Sequence, residues 1–215
     1  RLRYVRYADD FLIGVIGSKA ESWEISQRNG KPGIFTRNGK EWFDADKAWA
    51  SQSGEYYILT GMDANANEGI AIATKVSGIR IRKTEELIED AVITDDGIGY
   101  ALSDEGTLFT LSEGKTATKK LCGDAILDAW ALTPEFCVVV YDADSDYDEN
   151  DKEIPAVNVK LINLSTAASW RKKIHYSSEG RATLQFSAKI SGNMIRIETP
   201  DNILHEFAPD GTKTK

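Results

Sequence analysis

Five times along this chain a short apolar strand, a polar turn and a second apolar strand follow one another. Residues 48–60 read AWASQSGEYYILT, residues 91–103 read AVITDDGIGYALS and residues 129–141 read AWALTPEFCVVVY. Near the two ends, VRYADDFLIGVIGS and LQFSAKISGNMIRIE fit the same frame. Counted from Phe11, Tyr56, Ile98, Phe136 and Met194, the second strands are 45, 42, 38 and 58 residues apart by subtraction, and the longest interval holds an insertion. A repeated unit of this size cannot bury its apolar face alone, so each must pack on its neighbours.

The second strands lead into thirds through hairpin turns. IGYALSDEGTLFTLS (98–112) turns at Asp104–Glu105–Gly106, and residues 19–22 and 200–202 hold the matching points in the first and last units. Outer fourth strands are expected at Glu41 to Phe43, Ile79 to Arg82, Lys119 to Cys122 and Trp170 to Ile174, where apolar and basic residues mix as on a half-exposed edge. The expected fold is all-β: a β-propeller of about five four-stranded antiparallel blades, near residues 1–46, 47–89, 90–127, 128–180 and 181–215, the last blade incomplete. The pattern resembles WD-repeat-like and integrin-like propeller blades. That resemblance implies a scaffold that binds partners through its loops and channel.

Composition narrows the partner. The formal net charge is -8, with 34 Asp and Glu against 26 Lys and Arg, which disfavours a phosphate backbone and suits a neutral or cationic protein or peptide. No apolar run approaches the ~20 residues of a membrane span, and no signal peptide is visible, which together favour a cytoplasmic chain without membrane association. The two cysteines, Cys122 and Cys137, sit in strand-like contexts and are expected as buried thiols. His175 and His205 have no recognisable Ser or Cys partner, and there is no Gly-rich phosphate loop or nucleophile elbow.

A different signal opens the chain. RLRYVRYADDFLIGVIGSKAE, residues 1–21, resembles the polymerase active-site hairpin of group II intron reverse transcriptases. The resemblance implies Asp9 and Asp10 as magnesium ligands, with Tyr7 and Ala8 shaping the turn. The third aspartate, the helical thumb and the basic nucleic-acid surface of that family have no counterpart in these residues. The same hairpin also serves as the first two strands of a blade, with Asp9 and Asp10 where Asp95 and Asp96 stand two units later.

The insertion carries the leading site. DADSDYDENDKE, residues 142–153, sets Asp142, Asp144, Asp146, Asp148, Asn150 and Glu153 at positions 1, 3, 5, 7, 9 and 12 of a calcium loop. It resembles an EF-hand loop and the shorter calcium loops of integrin-like propellers, except that Tyr147 stands where the sharp turn wants glycine. A solvated acidic loop, extended by self-repulsion, is the competing reading. A fainter echo, DANANEG at 63–69, offers Asp63, Asn65, Asn67 and Glu68 and doubles as an ordinary Asn-rich turn. The reading is therefore a non-catalytic propeller module for protein or peptide partners, with Ca²⁺ as its one expected cofactor. A reverse transcriptase fragment joined to a propeller is the first alternative, and a propeller enzyme with carboxylates in its central channel the second.

Overall fold

The computed structural model describes residues 5–7, 10–15, 23–28, 31–36, 41–63, 65–74, 78–112, 115–177 and 184–214. Among them the regular structure is entirely strand, every strand pairing outside residues 88–120 is antiparallel, and no helix is long and apolar enough to cross a membrane. The chain divides into two compact units: Arg1–Ala101 with Phe109–Ala117, and Leu102–Leu108 with Thr118–Lys215.

The first sheet runs in chain order through eight strands: β1 (Val5–Tyr7), β2 (Asp10–Val15), β3 (Trp23–Arg28), β4 (Lys31–Thr36), β5 (Glu41–Ala50), β6 (Tyr57–Asp63), β7 (Glu68–Thr74) and β8 (Gly78–Lys83). Two expectations change here. Glu41 to Phe43 is not the outer strand of the first unit but the start of β5, and Lys31–Thr36 takes the outer place instead. β5 also pairs on both sides, Ile34 with Phe43 and Trp49 with Ile58, so the first two four-strand units join edge to edge with no break near residue 46. KPGIFT reads as a turn because Pro and Gly are poor strand formers. In place, Pro32 pairs with Gln27 and Gly33 with Ser26.

β7 explains how a strand lies between two apolar layers. Its alternation of Ile70 and Ile72 with Ala71 and Ala73 sends branched side chains to one face and methyls to the other. Ile70 and Ile72 pack with Ile58, Ile88, Ile93, Phe109 and Leu111; Ala71 and Ala73 pack with Phe43, Tyr57 and Leu59. Both faces are buried, so the strand reads as one apolar run rather than polar alternation. Gly61, at φ 154°, sits opposite the bulge in β5, where a Cβ would come within 1.9 Å of the Asp44 carbonyl oxygen.

Three smaller sheets follow. The third unit comprises β9 (Ile88–Ile93), β10 (Gly99–Ser103), β11 (Thr107–Ser112) and β12 (Lys115–Lys120), in the order β12-β11-β10-β9. The fourth comprises β13 (Ile126–Leu132), β14 (Phe136–Tyr147), β15 (Glu153–Asn163) and β16 (Ser169–His175). The fifth has three strands, β17 (Ser187–Ser191), β18 (Met194–Glu198) and β19 (Leu204–Phe207). One face of the fourth sheet, with Phe136, Val138, Val140, Val157, Val159 and Leu161, meets Ile195, Ile197 and Phe207 of the fifth in a single core. Trp170 of β16 seals the rim: its ring lies 5.3 Å from that of Phe207 and its Nε1 donates to the Pro209 carbonyl at 3.0 Å. Gly211, at φ 84°, lies against this indole, where a Cβ would come within 2.9 Å of the ring.

The turns repeat as faithfully as the strands. In 63–67, 94–98, 148–152, 199–203 and 208–212 the first residue exchanges backbone bonds with the fifth and the fourth, and the fourth is left-handed: Ala66, Gly97, Asp151, Asn202 and Gly211. This is a three-residue hairpin loop closed by a left-handed residue. Trp49 and Trp130 also hold one place, each on a first strand and paired respectively with Ile58 and Val139 of the second. Cys122 and Cys137 are both buried and unbridged.

Candidate functional site

Strand β14 is two strands in one. Phe136 to Tyr141 are buried, whereas Asp142 to Tyr147 alternate between exposed and half-buried and run past the end of the apolar core. The hydrophobic effect holds the first half; the second is carried as an arm by its pairing with β15, from Asp142 opposite Val157 to Tyr147 opposite Glu153, with a bulge between Ala143 and Asp146. DADSDY has Asp at every other position, so it satisfies a strand as readily as a ligand loop.

The acidic segment is therefore not the encircling loop its spacing suggests. Asp142, Asp144 and Asp146 lie on β14, Asp148 and Asn150 in the turn, and Glu153 on β15. Strand pairing stretches the six along the arm, and among the described residues no three His, Cys, Asp or Glu converge to hold a metal ion. Several already have partners. Asp148 Oδ1 accepts the amides of Asn150 at 2.8 Å and Lys152 at 2.9 Å, bonds that hold its carboxyl below the ordinary aspartate range. Asp146 takes Lys173 Nζ at 2.7 Å and His175 Nε2 at 2.6 Å, and the Lys173 bond, then the His175 bond, lower its pKa. Glu153 accepts the Ser145 hydroxyl at 2.7 Å.

The weaker site has the same anatomy. Asp63 Oδ1 accepts the amides of Asn65 at 2.8 Å and Asn67 at 2.9 Å, and both of its oxygens take the Asn67 side-chain amide. Glu68 is exposed at the start of β7. Of the polymerase-like motif, Tyr7 and Asp10 pair directly across the β1–β2 hairpin, while Ala8 and Asp9 lie outside the described residues.

What the fold does assemble is a charged cleft of about 790 Å³ at the base of the arm. Lys120, Cys122, Gly123 and Asp124 form one wall, and Tyr141, Asp142, Asp144, Asn158, Lys160 and Arg171 the other. Lys160 Nζ donates to the Leu121 carbonyl at 2.6 Å and pins the segment after β12. Burial, then the Lys119 and Arg171 charges, press the Lys160 ammonium below the ordinary lysine range, and burial pushes the Cys122 thiol up. Asp124, Asp142, Asp144 and Arg171 have no hydrogen-bonded or ion-paired side-chain partner among the described residues. The cationic wall escapes a motif search. Its trace lies in VNVKL (157–161), where Asn158 and Lys160 alternate with buried Val157, Val159 and Leu161. Asn158 and Lys160 thus mark the face of β15 turned away from the core shared with the fifth sheet.

No family model matches the chain, and no curated protein matches it. Among solved structures it is similar to BamB from Moraxella catarrhalis, at 9% identity and a TM-score of 0.53 over 99% of this chain and 62% of that one. It is also similar to the Neurospora crassa Pan2 WD40 domain, at 10% identity and a TM-score of 0.48 over 96% of this chain and 60% of that one. The chain thus spans about three fifths of each structure. The fold is all-β, of the β-propeller kind. The polymerase-like resemblance of residues 1–21 receives no support from these comparisons.

Proposed function

We propose that this chain is a non-catalytic propeller binding module whose partner is a basic peptide segment, gripped at the β14–β15 arm. One observation carries the reading. Residues 142–153 hold seven carboxylates against the single cation of Lys152, displayed on a paired strand whose inner half is locked in the core. Such an arm offers fixed negative charge without the ordering cost of a floppy loop. Asp142 and Asp144 supply its uncommitted oxygens. Asp146 and Asp148 are held by other groups, so the partner needs no calcium bridge.

Titration of the chain with a lysine-rich peptide and with its lysine-to-glutamine counterpart, by fluorescence anisotropy at two salt concentrations, tests this. Preference for the lysine peptide, weakening as salt rises and several-fold weaker in an Asp142→Asn/Asp144→Asn double variant, is the expected result. Equal binding of the two peptides, or indifference to the double variant, sinks the reading. A calcium titration run alongside is expected to give no heat.

A further inference from the structure

The register of the fourth sheet decides where the first aspartate of the arm points. Asp142 stands directly opposite Val157 and so shares the face on which Val157, Val159 and Leu161 meet the fifth sheet. Its backbone borders the charged cleft, where the carbonyl accepts Asn158 Nδ2 at 3.2 Å, but its carboxylate belongs to the other face. Tyr176 joins it there, two residues after buried Ile174, its amide donating to the Pro155 carbonyl at 3.1 Å where the β15–β16 pairing runs out.

Past the edge of the core this face opens into a groove of about 740 Å³, lined in part by Leu127, Asp128, Asp142, Tyr176, Leu184 and Phe186. Tyr176 and Phe186 meet edge to face, with centroids 5.1 Å apart and planes at 86°, and both rest half-buried against the core. Leu184 beside them is 49% exposed. Burial, then the Asp142 charge, raises the Tyr176 phenol above its ordinary range, so carboxylate and ring are near neighbours. Among the described residues neither Asp128 nor Asp142 has a hydrogen-bonded or ion-paired side-chain partner, and none that line the groove is Lys, Arg or His.

Aromatic faces, aliphatic surface and uncompensated carboxylates in one groove suit a cation on an apolar stem. Of the two such side chains, lysine ends in a compact ammonium that keeps its water. The guanidinium of arginine is weakly hydrated, stacks on aromatic rings and forks onto a carboxylate, so arginine is the better occupant.

We propose that this groove holds an arginine side chain of the basic segment gripped at the arm, its guanidinium on Asp142 and against the Tyr176 ring, its methylene stem on Phe186 and Leu184. This rests on the reading of the arm as a basic-peptide site and names the residue that anchors the segment.

The test uses three labelled lysine-rich peptides that differ only at a central position, which is Arg, Lys or the neutral isostere citrulline. The Arg peptide is expected to bind about fivefold tighter than the other two. Tyr176→Ala is expected to remove the difference between Arg and Lys, Tyr176→Phe to keep it, and Asp142→Asn to weaken both peptides. Where Tyr176→Ala lowers the melting temperature, Tyr176→Leu removes the ring while keeping apolar bulk, and the three peptides on the unaltered chain need no variant at all. Equal binding of the Arg and Lys peptides, a citrulline peptide as tight as the Arg one, or an Arg preference that survives loss of the Tyr176 ring overturns this proposal and leaves the basic-peptide reading standing. Failure of all three peptides overturns both readings.

Discussion

At the tip of β6–β7, Asp63 accepts the amides two and four residues ahead and Ala66 is left-handed; at the tip of β14–β15, Asp148 and Asp151 do the same. The tips are alike, but β6 has seven residues and β14 twelve, with everything after Tyr141 outside the apolar core. An aspartate at the first position of such a turn is thus a device of the fold, whatever its neighbours suggest. The added chemistry lies in the stretch between core and tip, where only one of the two hairpins has residues to spare.

The harshest way to break the comparison is Gly61→Val, which sets a branched side chain against the Asp44 carbonyl in the short hairpin. A loss of roughly 3 kcal/mol or more in urea unfolding is expected, since the clash is with backbone that cannot rotate away. A variant that unfolds with the wild type would mean that the β5 bulge is not as described. Next comes the divide within β14. Val140→Ala should cost roughly 2 kcal/mol for lost burial and the void it leaves. Tyr147→Ala, at a residue 66% exposed, should stay within about 0.5 kcal/mol. Similar losses at both would show that the arm is held by packing of its own.

The tips themselves are a gentler test. Asp63→Ala should cost about 1 kcal/mol through its lost amide bonds, and Asp148→Ala should destabilise in the same direction. Because the folded-state pKa of Asp148 is lowered, its contribution is complete above the unfolded value near 4 and is lost as pH falls through the folded value below that. Melting temperatures followed from pH 7 to pH 3 should therefore converge for wild type and Asp148→Ala at the acid end. A constant gap would assign the loss to something other than ionisation. Smallest of all, Ala66→Gly should stabilise by about 0.5–1 kcal/mol because the site is left-handed. Asp151→Gly should gain less, since Asp tolerates that conformation. Urea midpoints that fall instead would count against the shared turn.

The repeat was legible because alternation of apolar and turn residues is what drives it: second strands expected from Phe11, Tyr56, Ile98, Phe136 and Met194 begin at Asp10, Tyr57, Gly99, Phe136 and Met194. Outer strands were harder, because little of their pattern comes from burial. Lys31–Thr36 hid behind Pro32 and Gly33, and Glu41 to Phe43 was read as an edge although β5 is paired on both sides. The site was legible only in part. Asp142 and Asp144 line the cleft, but a ligand-loop spacing and a strand spacing share the same every-other-residue period, and the backbone pairing with β15 decided for the strand. Lys160 and Arg171 escape the sequence because their meaning depends on which sheet face stays uncovered, a property of the packed sheet rather than of any local run.

The outermost strands β12 and β16 each carry three Lys or Arg and no acid, in a chain whose total charge is negative. An exposed strand edge is an invitation to pair with another copy, and here each invitation is guarded by charge of one sign. Two molecules approaching edge to edge would meet cation against cation at strand spacing, while the acidic bulk disperses them at longer range. Colloidal behaviour should then depend on salt in the sense opposite to that expected for the proposed basic peptide on the arm: ionic strength that would loosen such a peptide would also lower the guard on these edges.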